Sequence, residues 1–466
     1  MNKTITLLAI LFCMNLSAQC WEKLSAGNSH TAGIKTDGTL WVWGGNTFGQ
    51  LGDGTFVRKN TPKQVGAANN WVEVTAGYNQ TFAIKSDGTL WGWGDNEFYQ
   101  LGDGTTTIRN VPTQIGTATN WVKVAVGFNH AIAKKSNGTI WGWGANISGE
   151  VGTGSQQPHP TPIQIGTATN WKTIECGQGH TLATKTNGTL WAWGINGYGR
   201  LGDGTTTDRE TPVQIGTATN WVDAAGGNYH SIGLKSDGSI WCWGYDSNGQ
   251  IGDGTPSVNR LTPVRVGADN MWNEIAAGAS HTLAIGVSGD LWAWGSNSAS
   301  QLTGALDEYA PYRVGFSQYW KKVAAGAGHT VAITEPIVLE NGEWVTQLGV
   351  LKVFGGNSSG QLGDGTYTRR DVVTTIACPT SVVLANEDFE SQDAASVYPN
   401  PVRDVLNVSS ESKINQVTVY DVLGQQVLRQ DIGSREAGID VSGLEAGTYF
   451  IRIDATQQRT LKIIKL

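Results

Sequence analysis

Tryptophan recurs along this chain at a fixed interval, and no other feature constrains the fold as much. Trp21, Trp71, Trp121, Trp171, Trp221, Trp272 and Trp320 lie 50, 50, 50, 50, 51 and 48 residues apart. Twenty residues after each of the first six comes a W-x-W-G string, at Trp41-Trp43, Trp91-Trp93, Trp141-Trp143, Trp191-Trp193, Trp241-Trp243 and Trp292-Trp294. The seventh copy reads Val353-Phe354-Gly355. Of the 20 tryptophans only Trp344 falls outside these registers, so tryptophan here is a scaffold residue and not a set of scattered ligand platforms. Repeats of this kind stack supersecondary units that cannot bury their apolar faces alone.

The grammar inside each unit is β. In the fourth unit His180 to Lys185 reads as a strand, Asn187-Gly188 as a turn, and Leu190 to Trp193 as the next strand. Asn-Gly and Asp-Gly between such runs predict a two-residue type I′ hairpin with positive φ at both central residues. The same turn recurs at Asp37-Gly38, Asp87-Gly88, Asn137-Gly138 and Asp237-Gly238. A glycine-rich loop follows (Gly199 to Thr205), and then a short strand led by proline (Pro212 to Ile215). Placing proline at a strand's first residue spares a ladder hydrogen bond. The stretch after each opening Trp, such as Val72 to Thr75, supplies a fourth strand. Four strands in each of seven units predict an all-β chain, a seven-bladed β-propeller over residues 20–378. A parallel β-solenoid is the alternative, but its rungs are shorter and it does not use antiparallel hairpins. The composition agrees: 62 glycines and only 15% charged residues leave no basis for a coiled coil or a helical bundle.

The two ends differ from the repeats. Lys3, the apolar run Ile5 to Met14, and Leu16-Ser17-Ala18-Gln19 read as a secretory signal peptide over residues 1–19. Lipidation of Cys20 would require a small residue where Gln19 stands. Downstream, residues 379–396 form an acidic, Trp-free linker with Glu387, Asp388, Glu390 and Asp393. Residues 397–466 then carry strand-like runs at Val405–Val408, Val417–Asp421 and Gln426–Leu428, and predict a small C-terminal β-sandwich domain. No stretch outside the leader is apolar over 18 residues, so no integral membrane segment is expected.

The string G-x-x-H-[TS]-x-A-[IL]-K-x-[DN]-G-T-[LI]-W-x-W-G-x-N-x-x-G-Q-L-G-D-G-T resembles the regulator of chromosome condensation repeat. That resemblance covers about residues 21–377 and implies a seven-bladed propeller. It does not carry over the nucleotide-exchange activity of the nuclear member. The net charge of −7 gives no attraction to nucleic acid, and no matching exchange-wedge insertion is visible. Other members are secreted binding proteins, one of which inhibits a β-lactamase through loops on one face. The tail sequence Tyr398-Pro399-Asn400-Pro401, then Gly424-Gln425-Gln426-Val427, then Leu444 to Tyr449, is similar to the C-terminal sorting domain of type IX secretion. The similarity implies the type IX secretion machinery and its sortase as partners. It also implies that the chain is released or attached at the outer cell surface.

The candidate sites are few. Histidine recurs at His30, His130, His180, His230, His281 and His329, with Gln80 in the second unit. Ligands in different blades are too far apart to converge on a metal, so each is expected to be fixed by backbone hydrogen bonds within its own blade. The aspartates of G-D-G-T (Asp53, Asp103, Asp203, Asp253, Asp364) are expected to bond their own turns, not calcium. No cofactor, metal or catalytic residue is expected. The variable pair inside G-x-x-H holds Tyr78, Phe128 and Tyr229, which are expected to project from one face as ligand anchors. Phe48, Phe98, Tyr99, Tyr198 and Tyr245 form a second variable set. Ring closure should bring Cys20 and Cys378 together as a disulfide, with Cys176 and Cys242 as buried free thiols. The function expected is non-enzymatic binding or adhesion to a surface protein or polysaccharide. The alternative is a secreted polysaccharide- or peptide-degrading enzyme.

Overall fold

In the computed structural model each Trp-led unit forms one antiparallel four-stranded sheet, of consecutive strands in the first six units. Residues 21–378 and 396–466 are described, apart from 256, 305, 316–318, 336, 341–342, 347–348, 411, 422–424 and 456–457. The leader, Cys20 and most of the acidic linker therefore lie outside the described residues. The chain divides into two compact units, residues 1–379 and 380–466.

Blade one consists of β1 (Trp21–Ala26), β2 (His30–Lys35), β3 (Leu40–Gly44) and β4 (Lys59–Gln64). Blade seven runs from Trp320–Ala325 to Arg370–Ile376, and no strand is exchanged between the first and last blades. The innermost strands form a ring through bonds such as Asn28 N–H to Gly77 O (3.2 Å) and, across the closure, Ala327 N–H to Gly27 O (3.2 Å).

Local chemistry explains each element. The second Trp of W-x-W-G is fully buried and lies against a glycine of the preceding blade. A Cβ on Gly102 would stand 2.6 Å from the Trp143 ring, and this glycine has φ +73°. Only glycine fits both demands. In blades one to five the lysine before the hairpin caps the tryptophans, as Lys85 Nζ does 4.1 Å from the Trp91 ring centroid.

Three expectations change at this level. The hairpin turns are not type I′, because Gly188 takes φ +76° while Asn187 does not take positive φ. Asn187 Oδ1 instead accepts the Thr189 N–H (3.3 Å) and Oγ1–H (2.8 Å), which gives a three-residue connection with glycine last. The fourth strand begins earlier than its proline. It spans Arg209–Gln214, with Pro212 inside a register irregularity, and an outermost strand tolerates this. Finally, the seventh unit carries an inserted hairpin, Ile337–Glu340 with Glu343–Thr346, which accounts for the unregistered Trp344.

The C-terminal unit has two sheets. One holds Ser396–Tyr398, Val405–Ser409 and Glu436–Asp440. The other orders Gln426–Asp431, Gln416–Tyr420, Gly447–Asp454 and Gln458–Lys465. Leu406, Val408 and Ile439 from the first meet Val417, Val419, Ile451, Ile453 and Ile463 from the second in one aliphatic core. The strands Ser396–Tyr398 and Glu436–Asp440 were not among those read from the sequence.

Candidate binding face

Most recurrent polar residues are consumed by joining blades. In blade one His30 Nε2 lies 2.9 Å from Thr81 Oγ1 of blade two, and the Thr81 hydroxyl donates to the Gln50 carbonyl at 2.7 Å. A hydroxyl whose proton is committed must accept from the ring, so His30 is the Nε2–H tautomer. The arrangement repeats at His180 with Ser231 (2.8 Å) and at His230 with Thr282 (3.0 Å). His329 closes the ring on Thr31 at 3.0 Å. For His30, His130, His180, His230 and His329 the expectation of backbone bonds within one blade is therefore corrected, since the partner is a hydroxyl one blade on, whereas His281 Nε2 has no hydrogen-bond partner among the described residues. Gln80 fits the same logic. The next blade offers Ala131 with no hydroxyl, and Gln80 Nε2 reaches the Gly127 and Phe128 carbonyls instead (3.1 and 3.0 Å).

Burial lowers the pKa of these rings, to about 3 for His30 and His281 and to about 4 for His130, His230 and His329. The imidazoles are kept neutral because a charged ring would be desolvated here. The G-D-G-T aspartates behave as the turn reading requires. Asp103 Oδ1 accepts from Thr105 N–H (2.9 Å), and Oδ2 pairs with Arg109 at 2.7 Å. Burial alone would raise this carboxyl, but the bonds from Thr105 and Arg109 hold it below its ordinary value.

The strand registers place the G-x-x-H turns and the W-x-W-G loops at the same end of every blade, since His30 pairs with Gly44 and Gly45 N–H bonds Ser29 O (2.8 Å). This end is the candidate face. The two variable positions of G-x-x-H diverge on it. The first, at Asn28, Tyr78, Phe128, Gln178 and Asn228, lines the mouth of a central channel of about 760 Å³. Tyr78 and Phe128 meet there with ring centroids 4.2 Å apart. The second position turns toward the W-x-W-G loop. Tyr229 accordingly joins Tyr245 (6.0 Å) and Tyr198 (5.8 Å), a group separate from the Tyr78–Phe128 pair.

Deeper in the channel the side chains are charged. Lys123 Nζ lies 3.1 Å from Glu73 and 3.5 Å from Glu175. Poor solvation between the inner strands pushes the Glu175 carboxyl up to about 7, against the pull of Lys123. Among the described residues no group of three or more His, Cys, Asp and Glu is placed to hold a metal ion. Cys176 and Cys242 are free thiols, Cys242 buried and Cys176 only half-buried. Cys378 is disulfide-bonded. Cys20, its expected partner, lies outside the described residues.

Residues 12–273 match the RCC1-like domain, and residues 272–301 and 288–333 match the regulator of chromosome condensation (RCC1) repeat. Residues 396–465 match the secretion system C-terminal sorting domain. That match indicates export by type IX secretion to the cell surface, with the secretion machinery as a partner. Among the described residues no helix is long and apolar enough to cross a membrane. No curated protein matches the sequence. Human WBSCR16 is similar in structure, with TM-score 0.63, 22% identity, and coverage of 69% of this chain and 88% of that one. Prp20p from Saccharomyces cerevisiae, described for its binding to Gsp1p and histones, gives TM-score 0.59 and 21% identity, covering 65% and 80%. At these identities the likeness shows the fold alone.

Proposed function

The chain belongs to the RCC1-like domain family, and from that premise we propose that it is a non-catalytic binding or adhesion propeller that engages a surface protein or polysaccharide through its G-x-x-H face. One observation carries the reading. Most of the recurrent His, Thr and Asp side chains and most tryptophans of W-x-W-G are committed to bonds within and between blades, whereas Tyr78 and Phe128 sit at the channel mouth and pack on each other. Aromatic pairs presented in this way are favoured anchors of binding surfaces. Tyr229 belongs to the same face but to a separate patch, so the three anchors act as two contact points. In the channel, the carboxylate with the most raised pKa, Glu175, is paired with Lys123 and so is not free to serve as an acid or base.

The test is a screen of the exported protein against peptides and polysaccharides, scored for both binding and product formation. Tyr78→Ala with Phe128→Ala should weaken the ligand found by about tenfold or more per anchor, while the thermal midpoint stays near that of the parent. Product release at a steady rate, or affinity indifferent to both substitutions, would contradict the proposal.

A further inference from the structure

One substitution sets blade four apart. In six blades the side chain at the loop position after the variable aromatic accepts the backbone N–H two residues earlier. Gln50 accepts from Phe48 (2.9 Å), Gln100 from Phe98 (2.7 Å) and Glu150 from Ser148 (2.8 Å). Gln250, Gln301 and Gln361 do the same for Asn248, Ala299 and Ser359 (2.9, 2.8 and 2.9 Å). Blade four has Arg200 at this position, and a guanidinium can only donate. The loop is rebuilt accordingly. Gly197–Gly199 becomes a short 3-10 turn, and Tyr198 takes φ +65°, which none of its equivalents does. A left-handed non-glycine residue is strained, and such strain collects at functional sites.

The strained conformation directs Tyr198 into a cluster. Its ring centroid lies 4.7 Å from that of Tyr245 and 5.8 Å from that of Tyr229. It remains 46% exposed. Beneath the cluster the Arg200 guanidinium stacks on Tyr229 at 4.8 Å and is only 4% exposed. Its described hydrogen bonds go to two neutral carbonyls, Gly197 O (2.9 Å) and Asn228 O (3.1 Å). Asp208, whose charge acts on Arg200 through space, is engaged by the Asn196 N–H at 2.7 Å and makes no salt bridge with Arg200 among the described residues. The blade therefore buries a cation that no carboxylate contacts directly among the described residues, under a half-exposed tyrosine platform. Aromatic faces stack on the apolar faces of pyranose rings, and the guanidinium fork matches a carboxylate.

We infer that Tyr198, Tyr229, Tyr245 and Arg200 form a saccharide subsite that takes a uronate, with the sugar ring on Tyr198 and its carboxylate directed to Arg200. The inference rests on the reading of this face as the binding face and specifies one ligand class for it. A peptide is less suited, because the patch is a small platform of three tyrosine rings over one guanidinium.

The experiment titrates the exported protein with short oligogalacturonates, neutral cello-oligosaccharides and an acidic peptide. Arg200→Gln is the informative variant, since Gln is what five other blades carry and the loop should revert to the common form without loss of folding. The expected result is uronate binding that weakens about tenfold to a hundredfold in Arg200→Gln and in Tyr198→Ala, the range for a lost charged contact. Neutral oligosaccharides should bind weakly and should not respond to Arg200→Gln. Uronate affinity unchanged in Arg200→Gln, equal affinity for the neutral sugar, or preference for the acidic peptide would each overturn the inference. Failure of the face-level reading is distinguishable. It would leave the parent protein without affinity for any ligand in the panel, whereas failure of this inference alone would leave a ligand sensitive to Tyr78→Ala and indifferent to Arg200→Gln.

Discussion

The propeller and the C-terminal unit solve the same problem, an all-β core, by opposite means. Among its described residues, the tail's core cluster of fully buried side chains consists of Val, Ile and Leu. The propeller also has aliphatic cores, but every blade interface is in addition registered by polar side chains aimed at one spot on the neighbour. Gln50 O receives both Thr81 Oγ1–H (2.7 Å) and Trp93 Nε1–H (3.0 Å) from the next blade, and Gln361 O receives Thr31 (2.8 Å) and Trp43 (2.9 Å) across the closure. Directional bonds fix the rotation between blades, which a non-directional apolar contact does not. A ring of seven must close with no accumulated error, and a two-sheet sandwich carries no such requirement.

The largest expected consequence is in the response to acid. Six buried imidazoles have folded pKa values well below the ordinary 6.5. Their contribution is complete above pH 6.5 and is lost as pH falls, because the unfolded chain then binds protons that the folded ring refuses. At about pH 5 six such groups give a slope of about 8 kcal/mol per pH unit. Glu175, Asp246, Asp223 and Glu150, whose carboxyls burial pushes up, work in the opposite direction and offset part of this slope. The tail has no histidine. All 20 tryptophans precede residue 345, so tryptophan fluorescence of the intact chain reports the propeller alone. Denaturant midpoints by fluorescence should fall steeply between about pH 6 and 4.5, while hydrogen exchange at Val419 and Ile451 should barely change. A flat fluorescence midpoint would break the contrast.

Two smaller effects sharpen it. If Cys378 is bonded to Cys20, as we propose, the loop closed is almost the whole propeller. Cys378→Ser should then cost up to about 5 kcal/mol by the chain-entropy model, with no effect on the tail. Peptide mapping without reductant would show the pair, and a free Cys378 would dispose of it. Next in size, Gly102→Ala places a methyl group against the Trp143 ring and should cost about 2–3 kcal/mol. Gly443→Ala in the tail meets nothing within 4 Å and has no positive φ, so its unfolding midpoint should stay put.

Much of the scaffold was legible because it is periodic. The tryptophan spacing gave the seven blades, their order and the unswapped closure. What escaped were relations that cross from one blade to the next. The partner of His30 is 51 residues away, and reading each unit by itself assigned it to its own backbone. A signal was present nonetheless. A hydroxyl residue follows the His/Gln position in six units, and its absence at Ala131 comes one unit after the histidine is replaced by Gln80. Tyr229 was grouped with Tyr78 and Phe128 because all three lie inside G-x-x-H, but adjacent positions in that turn face different ways. The exception at Arg200 was also visible as a break in the Gln column. Its meaning depends on hydrogen-bond polarity, which residue spacing does not express.

The smallest of these effects is the most direct test of the claim that specific bonds between blades register the ring. Gln80→His alone should strand a ring N–H against Ala131 and cost about 1–3 kcal/mol. Adding Ala131→Thr should restore the chain of bonds seen between His30 and Thr81, with its hydroxyl reaching the Gln100 carbonyl as Trp143 Nε1 already does at 2.9 Å. A double-mutant cycle on the intact chain, followed by tryptophan fluorescence, measures the coupling. The account predicts a favourable coupling of about 1–2 kcal/mol, with the double variant near the parent. Strictly additive losses would show that the histidine–hydroxyl pairs merely occupy space.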